Sequence, residues 1–443
     1  MSAWTERPEL GAYMARQRWY GEAVEEVTIT EVRELAWLAE PASGVGVRFE
    51  IVVAGAPYSV PLSYRAQPRE DLSYGFIGAV ALDGEVLYVY DAMHDPEARA
   101  ILLRGFLDDA DSPADISYVS LEGAPIAADA ESVLMSVEQS NTSVIVGDVL
   151  VKFFRRLEYG RNPDIEVQAA LTRLGSEEIS PLYGWISSGD VDLAMAGAYQ
   201  RSATDGWDSA RASIRALQAD DVRARDAGGD FAGESERLGA ALAAVHAQMR
   251  EALPTGVWSR PDVEALVGRL EARLDRAMAL DPAVRDFSAR ARAAYAAIDP
   301  DTPVPVQRIH GDFHLGQTLR TTTGWKIIDF EGEPAQALED RVRLDAGARD
   351  VAGMLRSLDY AAHSVAITSA GLAAGSDDQA HVDDWVRRNR VAFLRGYGYE
   401  SSEAAAALLH AYEIDKAVYE FIYESHYRPD WVEIPLHALH RLL

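Results

Sequence analysis

The chain has 443 residues, of which 48% are hydrophobic and 25% charged, a balance that folds rather than staying disordered. Its formal net charge of −28 repels phosphate backbones and anionic lipid headgroups, which argues against nucleic acid and membrane surfaces as partners. No cysteine is present, so disulfides, thiolate metal sites and thiol nucleophiles are excluded.

At this length two or three packed units are expected, since single domains hold about 100 to 200 residues. Residues 1–21 carry charges where a secretory leader needs an apolar core, and no run approaches the roughly 18 apolar residues of a membrane span. A soluble cytoplasmic protein is the expectation. Of 42 basic residues only Lys152, Lys326 and Lys416 are lysines. In a chain so biased toward arginine, a retained lysine marks a place that wants a compact point charge, although chance explains Lys326 more simply.

Residues 1–90 read as a short helix followed by strand-like stretches, with GVRFEIVVAG and APYSVPLSY pairing as a hairpin across Gly55 to Pro57. This is a small α+β cap unit. A helix around 95–108 and the acidic stretch DDADSPAD lead out of it. Over 91–200, an intermediate unit, strands return in VLMSVEQ and SVIVGDVLVKFFRR, then a helix from Pro163, then PLYGWIS and LAMAGAYQ. The remainder, 201–443, is mostly helical: SERLGAALAAVHAQMREAL, VEALVGRLEARLDRAMAL, DDWVRRNRVAFLRGYG and EAAAALLHAYEIDKAVYEFIYESH carry apolar residues at three- and four-residue spacing. Only VQRIHGDFH and WKIIDFE interrupt it with strand-like sequence, and no internal repeat is evident.

The chemistry concentrates in HGDFHLGQ at 310–317 and IIDFEGE at 327–333. Phosphoryl transfer needs one carboxylate to take or orient the acceptor proton, the role given to Asp312, and a second to hold Mg²⁺ against ATP phosphates, the role given to Asp329. Gln317 stands five positions after Asp312, the spacing of Asp and Asn in the kinase catalytic loop, and is a second metal ligand. His310 gives an orienting hydrogen bond beside the acceptor. Taken alone, HGDFH equally fits a metal hydrolase in which His310, Asp312 and His314 bind a transition metal.

A kinase also requires a distant lysine in an earlier strand. Lys152 in VLVKFFRR supplies one, and Glu166 near the start of the next helix is placed to pair with it, although an acidic first turn also fits simple helix capping. There is no Gly-Lys pair, which excludes a P-loop, and no G-x-G-x-x-G. In its place EQSNTSV, with Ser140, Asn141, Thr142 and Ser143, offers hydroxyls and amides to cover phosphates; an ordinary polar hairpin fits as well. No A-P-E follows DFE, which favours a small acceptor over a protein. The expected fold is α+β: two-lobed and protein-kinase-like, with an N-terminal cap and an α-helical C-lobe.

RQRWYG, EQSNTSV, KFFRRLEYGRNPDIEV, SATDGWDSA, HGDFHLGQT, DFEGEP, RDVAGMLRSLDYAA and AYEIDKAVYEFIYESHYRPDWVEIPL together resemble the actinobacterial maltokinases and maltokinase-like glucosamine kinases, relatives of the aminoglycoside phosphotransferases. The resemblance spans nearly the whole chain. It implies Mg-ATP between two lobes, a hinge at Gly197 to Gln200 facing adenine, Asp312 as base, and Gln317 and Asp329 as metal ligands. It also implies that Lys416, Tyr419 and Tyr423 face a sugar; without it, a tyrosine-lined core helix is the simpler reading. Where maltokinases read W-L-P-I-P-L this chain has Trp431, Val432 and Glu433 before Ile-Pro-Leu. A carboxylate there suits the ammonium of glucosamine, phosphorylated on its 6-hydroxyl, better than maltose, whereas a plain surface substitution fits Glu433 equally. Oligomeric state, monomer or homodimer, is not legible.

Overall fold

The computed structural model describes all residues other than 1–7, 22–25, 83, 107–112, 122–123, 128–129, 136–139, 221–223, 227–229, 335, 371–376 and 401. It divides into two compact units, Met1–Ala169 with Ser180–Arg201, and Ala170–Ile179 with Ser202–Leu443. Among the described residues no helix is long and apolar enough to cross a membrane.

The first unit holds two antiparallel sheets. Helix α1 (Pro8–Ala15) precedes β1 (Glu31–Glu34), β2 (Val45–Ala54), β3 (Ala56–Arg65), β4 (Phe76–Leu82) and β5 (Glu85–Asp91), which order as β1-β2-β3-β5-β4. The predicted hairpin is present, with Ala54 facing Ala56 across Gly55 at φ +75°. That conformation suits glycine because a Cβ would crowd the carbonyl. Alternation along β2 sends Val45, Val47, Phe49 and Ile51 to one face and Val52 and Ala54 to the other. The second face packs with α1, and Tyr13 and Met14 are buried there. The first face shares a core with the second sheet, where Phe49 meets Phe153 at 6.5 Å between ring centroids.

Helix α2 (Pro96–Arg104) is capped by Asp95, whose carboxylate accepts from the amides of Glu97 and Ala98. The second sheet follows: β6 (Ser117–Ser120), β7 (Ser132–Leu134), β8 (Asn141–Val146) and β9 (Val149–Phe154), then helix α3 (Pro163–Arg173), then β10 (Leu182–Ser188) and β11 (Val191–Ala198), ordered β6-β10-β11-β9-β8-β7. The chain leaving β9 also bonds to β3, Ser59 N to Arg155 O and Leu157 N to Pro57 O, so the cap sheet and the second sheet fold as one body.

The second unit is helical. It contains β12 (Thr204–Asp205), α4 (Gly206–Asp220), α5 (Ala232–Ala252), β13 (Thr255–Trp258), α6 (Arg260–Leu280), α7 (Arg285–Ala296), β14 (Val304–Gln307), β15 (Thr318–Arg320), β16 (Trp325–Ile327), α8 (Leu338–Arg341), α9 (Ala348–Ala370), α10 (Asp377–Tyr397), α11 (Glu403–Tyr427) and α12 (Glu433–Leu442). α9 is buried along most of its described length, in contact with α4, α10 and α11, so that Asp350, Arg356 and Asp359 are buried along with its apolar residues. Two short sheets, β13-β14 and β12-β15-β16, frame the loop that joins β14 to β15.

Candidate active site

The loop His310–Gln317 is fixed from behind by α9. Asp350, 1% exposed, accepts the N–H of His310 at 2.8 Å and of Gly311 at 2.9 Å, and His246 Nε2 donates to it at 2.9 Å. Burial opposes the charge of Asp350, but the hydrogen bond and charge of His246 outweigh it and hold the carboxyl below its ordinary range. One turn on, α9 approaches so closely that a Cβ on Gly353 would stand 2.5 Å from Phe313 O. Another turn on, Ser357 Oγ accepts from Leu315 N at 3.0 Å. Asp350, Gly353 and Ser357 share one helix face by their three- and four-residue spacing.

His310 is 1% exposed. Its Nε2 donates to Ile328 O at 3.0 Å, and Asp312 N points at Nδ1 at 3.4 Å. The ring ties the loop to the Asp329 segment, and its burial keeps it from direct contact with an acceptor.

Asp312 is 19% exposed at its side chain, with Oδ1 accepting from Lys416 Nζ at 3.0 Å and Oδ2 standing 3.8 Å from His314 Nε2. Lys416 Nζ also reaches Glu333 Oε1 at 3.3 Å, and Arg349 stands 3.4 Å from that same oxygen. Burial disfavours the Lys416 charge, yet Asp312 and Glu333 raise its pKa above the usual lysine range. Burial likewise pushes Glu333 up, and the charges of Lys416 and Arg349 overcome it, leaving the carboxyl at about 2. Lys416 therefore anchors the loop carboxylate, a contact the sequence did not foretell.

Gln317 closes a short 3₁₀ turn. Ile328 N donates to its carbonyl at 3.1 Å and its Nε2 donates to Asp329 Oδ2 at 2.9 Å. Asp329 follows β16 with φ +67°, a left-handed conformation that costs a non-glycine residue roughly 1 to 3 kcal/mol. Carboxylate oxygens of Asp329 and Glu331 lie within 4.8 Å of one another, a pairing of like charges that a cation relieves. Carboxylates and the Gln317 amide oxygen are hard donors that fit Mg²⁺. Glu331 was missed in the sequence because it reads as part of an acidic turn. Among the described residues His310, Asp312 and His314 form no three-ligand metal cluster.

In the first unit, Lys152 lies on β9, 18% exposed at its side chain, with Nζ 3.8 Å from Asp164 Oδ2. Asp164 is a carboxylate partner of Lys152 that the sequence reading did not name. Asn162 caps α3 by accepting from Asp164 N at 2.8 Å, and its own N donates to Asp192 Oδ2 at 2.7 Å. Gln168 Nε2 donates to Asp164 at 2.7 Å. Glu166 sits in the same first turn, its N donating to Asn162 O.

Of EQSNTSV, Glu138 and Gln139 lie outside the described residues. Ser140 precedes β8, while Asn141, Thr142 and Ser143 are inside the strand rather than in a loop. Thr142 Oγ1 accepts from Arg155 Nε at 2.8 Å, and Ser143 is fully buried opposite Lys152. Both residues thus belong to the β8–β9 ladder, Ser143 buried and Thr142 half-buried. Gln200 lies half-buried just past β11, beside Tyr199, whose N donates to Asp148 O.

On α11 the ring of Tyr419 lies 4.7 Å from Lys416 Nζ and stacks on Tyr423 at 6.5 Å. Tyr423 is 39% exposed, and Arg428 covers both it and Trp431 at 5.4 Å. Trp431 stacks on Tyr360 at 6.0 Å. Glu433 opens α12 with a side chain 70% exposed, 3.8 Å from His437.

A β-rich unit carrying a strand lysine and a helical unit carrying the HGDFHLGQ loop define a small-molecule phosphotransferase of kinase-like architecture. Residues 13–95 match the maltokinase N-terminal cap domain and residues 222–388 the phosphotransferase enzyme family. A glucosamine kinase of Streptacidiphilus jiangxiensis is 30% identical over 327 residues, 69% of this chain and 72% of that protein. One from Mycolicibacterium smegmatis (strain ATCC 700084 / mc(2)155) is 31% identical over 329 residues, 70% and 79% of the respective chains. Two solved glucosamine kinase structures superpose at TM-score 0.73: crystal form B, 25% identical, covering 99% of this chain and 100% of that one, and a complex with glucosamine, ADP and inorganic phosphate, 24% identical, covering 100% and 99%. The chain belongs to the glucosamine kinase family.

Proposed function

We propose that this protein transfers the γ-phosphate of ATP to the 6-hydroxyl of glucosamine. The observation that carries the reading is the Asp312 carboxylate, with Oδ1 fixed by Lys416 and Oδ2 3.8 Å from His314 Nε2, in a chain 30% and 31% identical to glucosamine kinases. Asp312 Oδ2 orients the acceptor hydroxyl and takes its proton as the hydroxyl oxygen bonds to phosphorus and the bridging oxygen leaves with ADP. Lys152 contacts the ATP phosphates as a compact cation. Gln317 and Asp329 would hold Mg²⁺, with Glu331 beside them, and when bound the ion neutralises phosphate charge. Tyr419, Tyr423 and Trp431 offer ring faces for the apolar side of a pyranose.

A maltokinase making maltose 1-phosphate is the second reading, favoured by the cap domain match. Incubating the protein with ATP, Mg²⁺ and a panel of sugars while measuring ADP release separates the two. Glucosamine is expected to support the highest kcat/KM, with phosphorus NMR placing the ester on O6. Faster turnover on maltose would reverse the assignment.

A further inference from the structure

The second unit contains a cavity of about 320 Å³ walled by α6, the segment around α8, the start of α9 and α11. This lies at the lower end of the roughly 300 to 1,000 Å³ typical of ligand pockets. Five arginines line it, Arg269, Arg273 and Arg276 from α6 together with Arg343 and Arg349, against the three carboxylates Asp340, Asp345 and Asp415. Each carboxylate is taken by one arginine: Asp415 by Arg273, Asp340 by Arg343, and Asp345 by Arg349 at 3.2 Å. Among the described residues Arg269 and Arg276 have no carboxylate within 4.0 Å. They stand seven residues apart, two turns along one face of α6, on either side of Arg273.

That arrangement is unusual for this chain. With 70 acidic residues against 42 basic ones, a wall left with two surplus positive charges is not what surface composition supplies. Asp415 adds a second, independent observation. It is 8% exposed, and its Oδ1 is buried with no hydrogen-bond partner. A buried acceptor without a donor costs about 1 to 3 kcal/mol, which a hydroxyl or ammonium from a ligand would recover. Asp415 also lines the small cavity of about 20 Å³ at Asp312, Glu333 and Lys416, and Arg349 joins both cavities.

We infer that this cavity is a binding site for a phosphate monoester of a sugar, separate from the acceptor position at Asp312: Arg269 and Arg276 take the dianion, and Asp415 accepts from a hydroxyl or amine of the ring. Arginine forks match phosphate oxygens bidentately, and a dianion neutralises the two unpaired charges. The choice of sugar rests on the proposed reaction, whose product belongs to this class; the anion site does not.

Isothermal titration calorimetry on the full chain tests it, with inorganic phosphate, glucosamine 6-phosphate and uncharged glucose as probes. The Arg269→Ala/Arg276→Ala double variant is compared with the wild type and with Arg269→Lys/Arg276→Lys, which keeps the charge. Both arginines are exposed, so all three proteins are expected to melt alike and to share kcat and KM in the absence of added product. The expected result is a binding step for phosphate and a tighter one for the ester. The alanine pair weakens both at least tenfold and the lysine pair less, while glucose gives the same isotherm in all three proteins. Superimposable phosphate isotherms for the wild type and the alanine variant would overturn the site. Equal affinity for phosphate and ester would overturn the sugar half of the assignment. Because heat and not turnover is read, a failed sugar-kinase assay leaves this result standing, and the reverse also holds.

Discussion

Lys416 Nζ lies 3.0 Å from Asp312 Oδ1, so the proposed base is held by a cation from a helix that begins more than eighty residues later in the chain. Lys416→Met removes that hold and leaves Glu333 with Arg349 and the Gln336 amide. Breaking a buried pair costs about 3 to 5 kcal/mol. The expected outcome is a urea midpoint shifted down by a corresponding amount, with kcat lowered at least tenfold and KM for ATP little changed. A variant that loses stability but keeps kcat would show that Lys416 is only structural.

Replacing Asp312 by Asn keeps the shape of the loop and removes the proton acceptor. Turnover is expected to fall by roughly 10² to 10⁴. Nucleotide affinity by calorimetry is expected to stay within a few-fold of the wild type. Retained turnover would remove Asp312 from the proposed chemistry.

Glu333 gives a pH signature. Its folded pKa is depressed to about 2 from an unfolded value of 4.5. For a depressed carboxyl the stabilisation is present above the unfolded pKa and is lost as pH falls through the folded one, here between about 4.5 and 2. The shift corresponds to roughly 3 kcal/mol. Unfolding free energy extrapolated from denaturant is expected to drop steeply over that interval in the wild type and less in Glu333→Gln. Parallel profiles would contradict the ion pairs described.

Gly353→Ala puts a methyl group against Phe313 O, where 2.5 Å is available. Either α9 or the loop must shift, at about 1 to 3 kcal/mol. A folded protein with reduced kcat is expected, measured alongside the thermal midpoint. Full activity with unchanged stability would mean that the contact between α9 and the loop does not matter.

Much of the fold was readable because its signals are local. The Gly55 hairpin, the α3 start at Pro163 and the long amphipathic helices announce themselves by turn residues and apolar spacing. HGDFHLGQ and the aspartate of IIDF were readable because spacing along one loop fixes which groups can meet. What escaped depends on orientation. Asp164 shares the first turn of α3 with Glu166, and sequence alone does not say that Asp164 reaches Lys152. Asp350 and Glu333 read as ordinary acidic residues until burial shows them holding backbone amides and a lysine. Thr142 and Ser143 read as a phosphate loop because polar hydroxyls in a row suggest a turn, whereas pairing with β9 makes them strand. Glu433, solvent-facing beside His437, fits the surface-substitution reading.

The stretch Ala170–Ile179 is grouped with the helical unit although the chain returns to the sheet-bearing unit before leaving it for good at Arg201. Glu178 O accepts from Ile327 N, so this stretch completes the strand that leads into Asp329. No single cut therefore yields two self-sufficient pieces. A fragment starting at Ser202 lacks the partner of the strand that leads into Asp329, so expressing the helical half alone should fail unless 170–179 is supplied as a peptide.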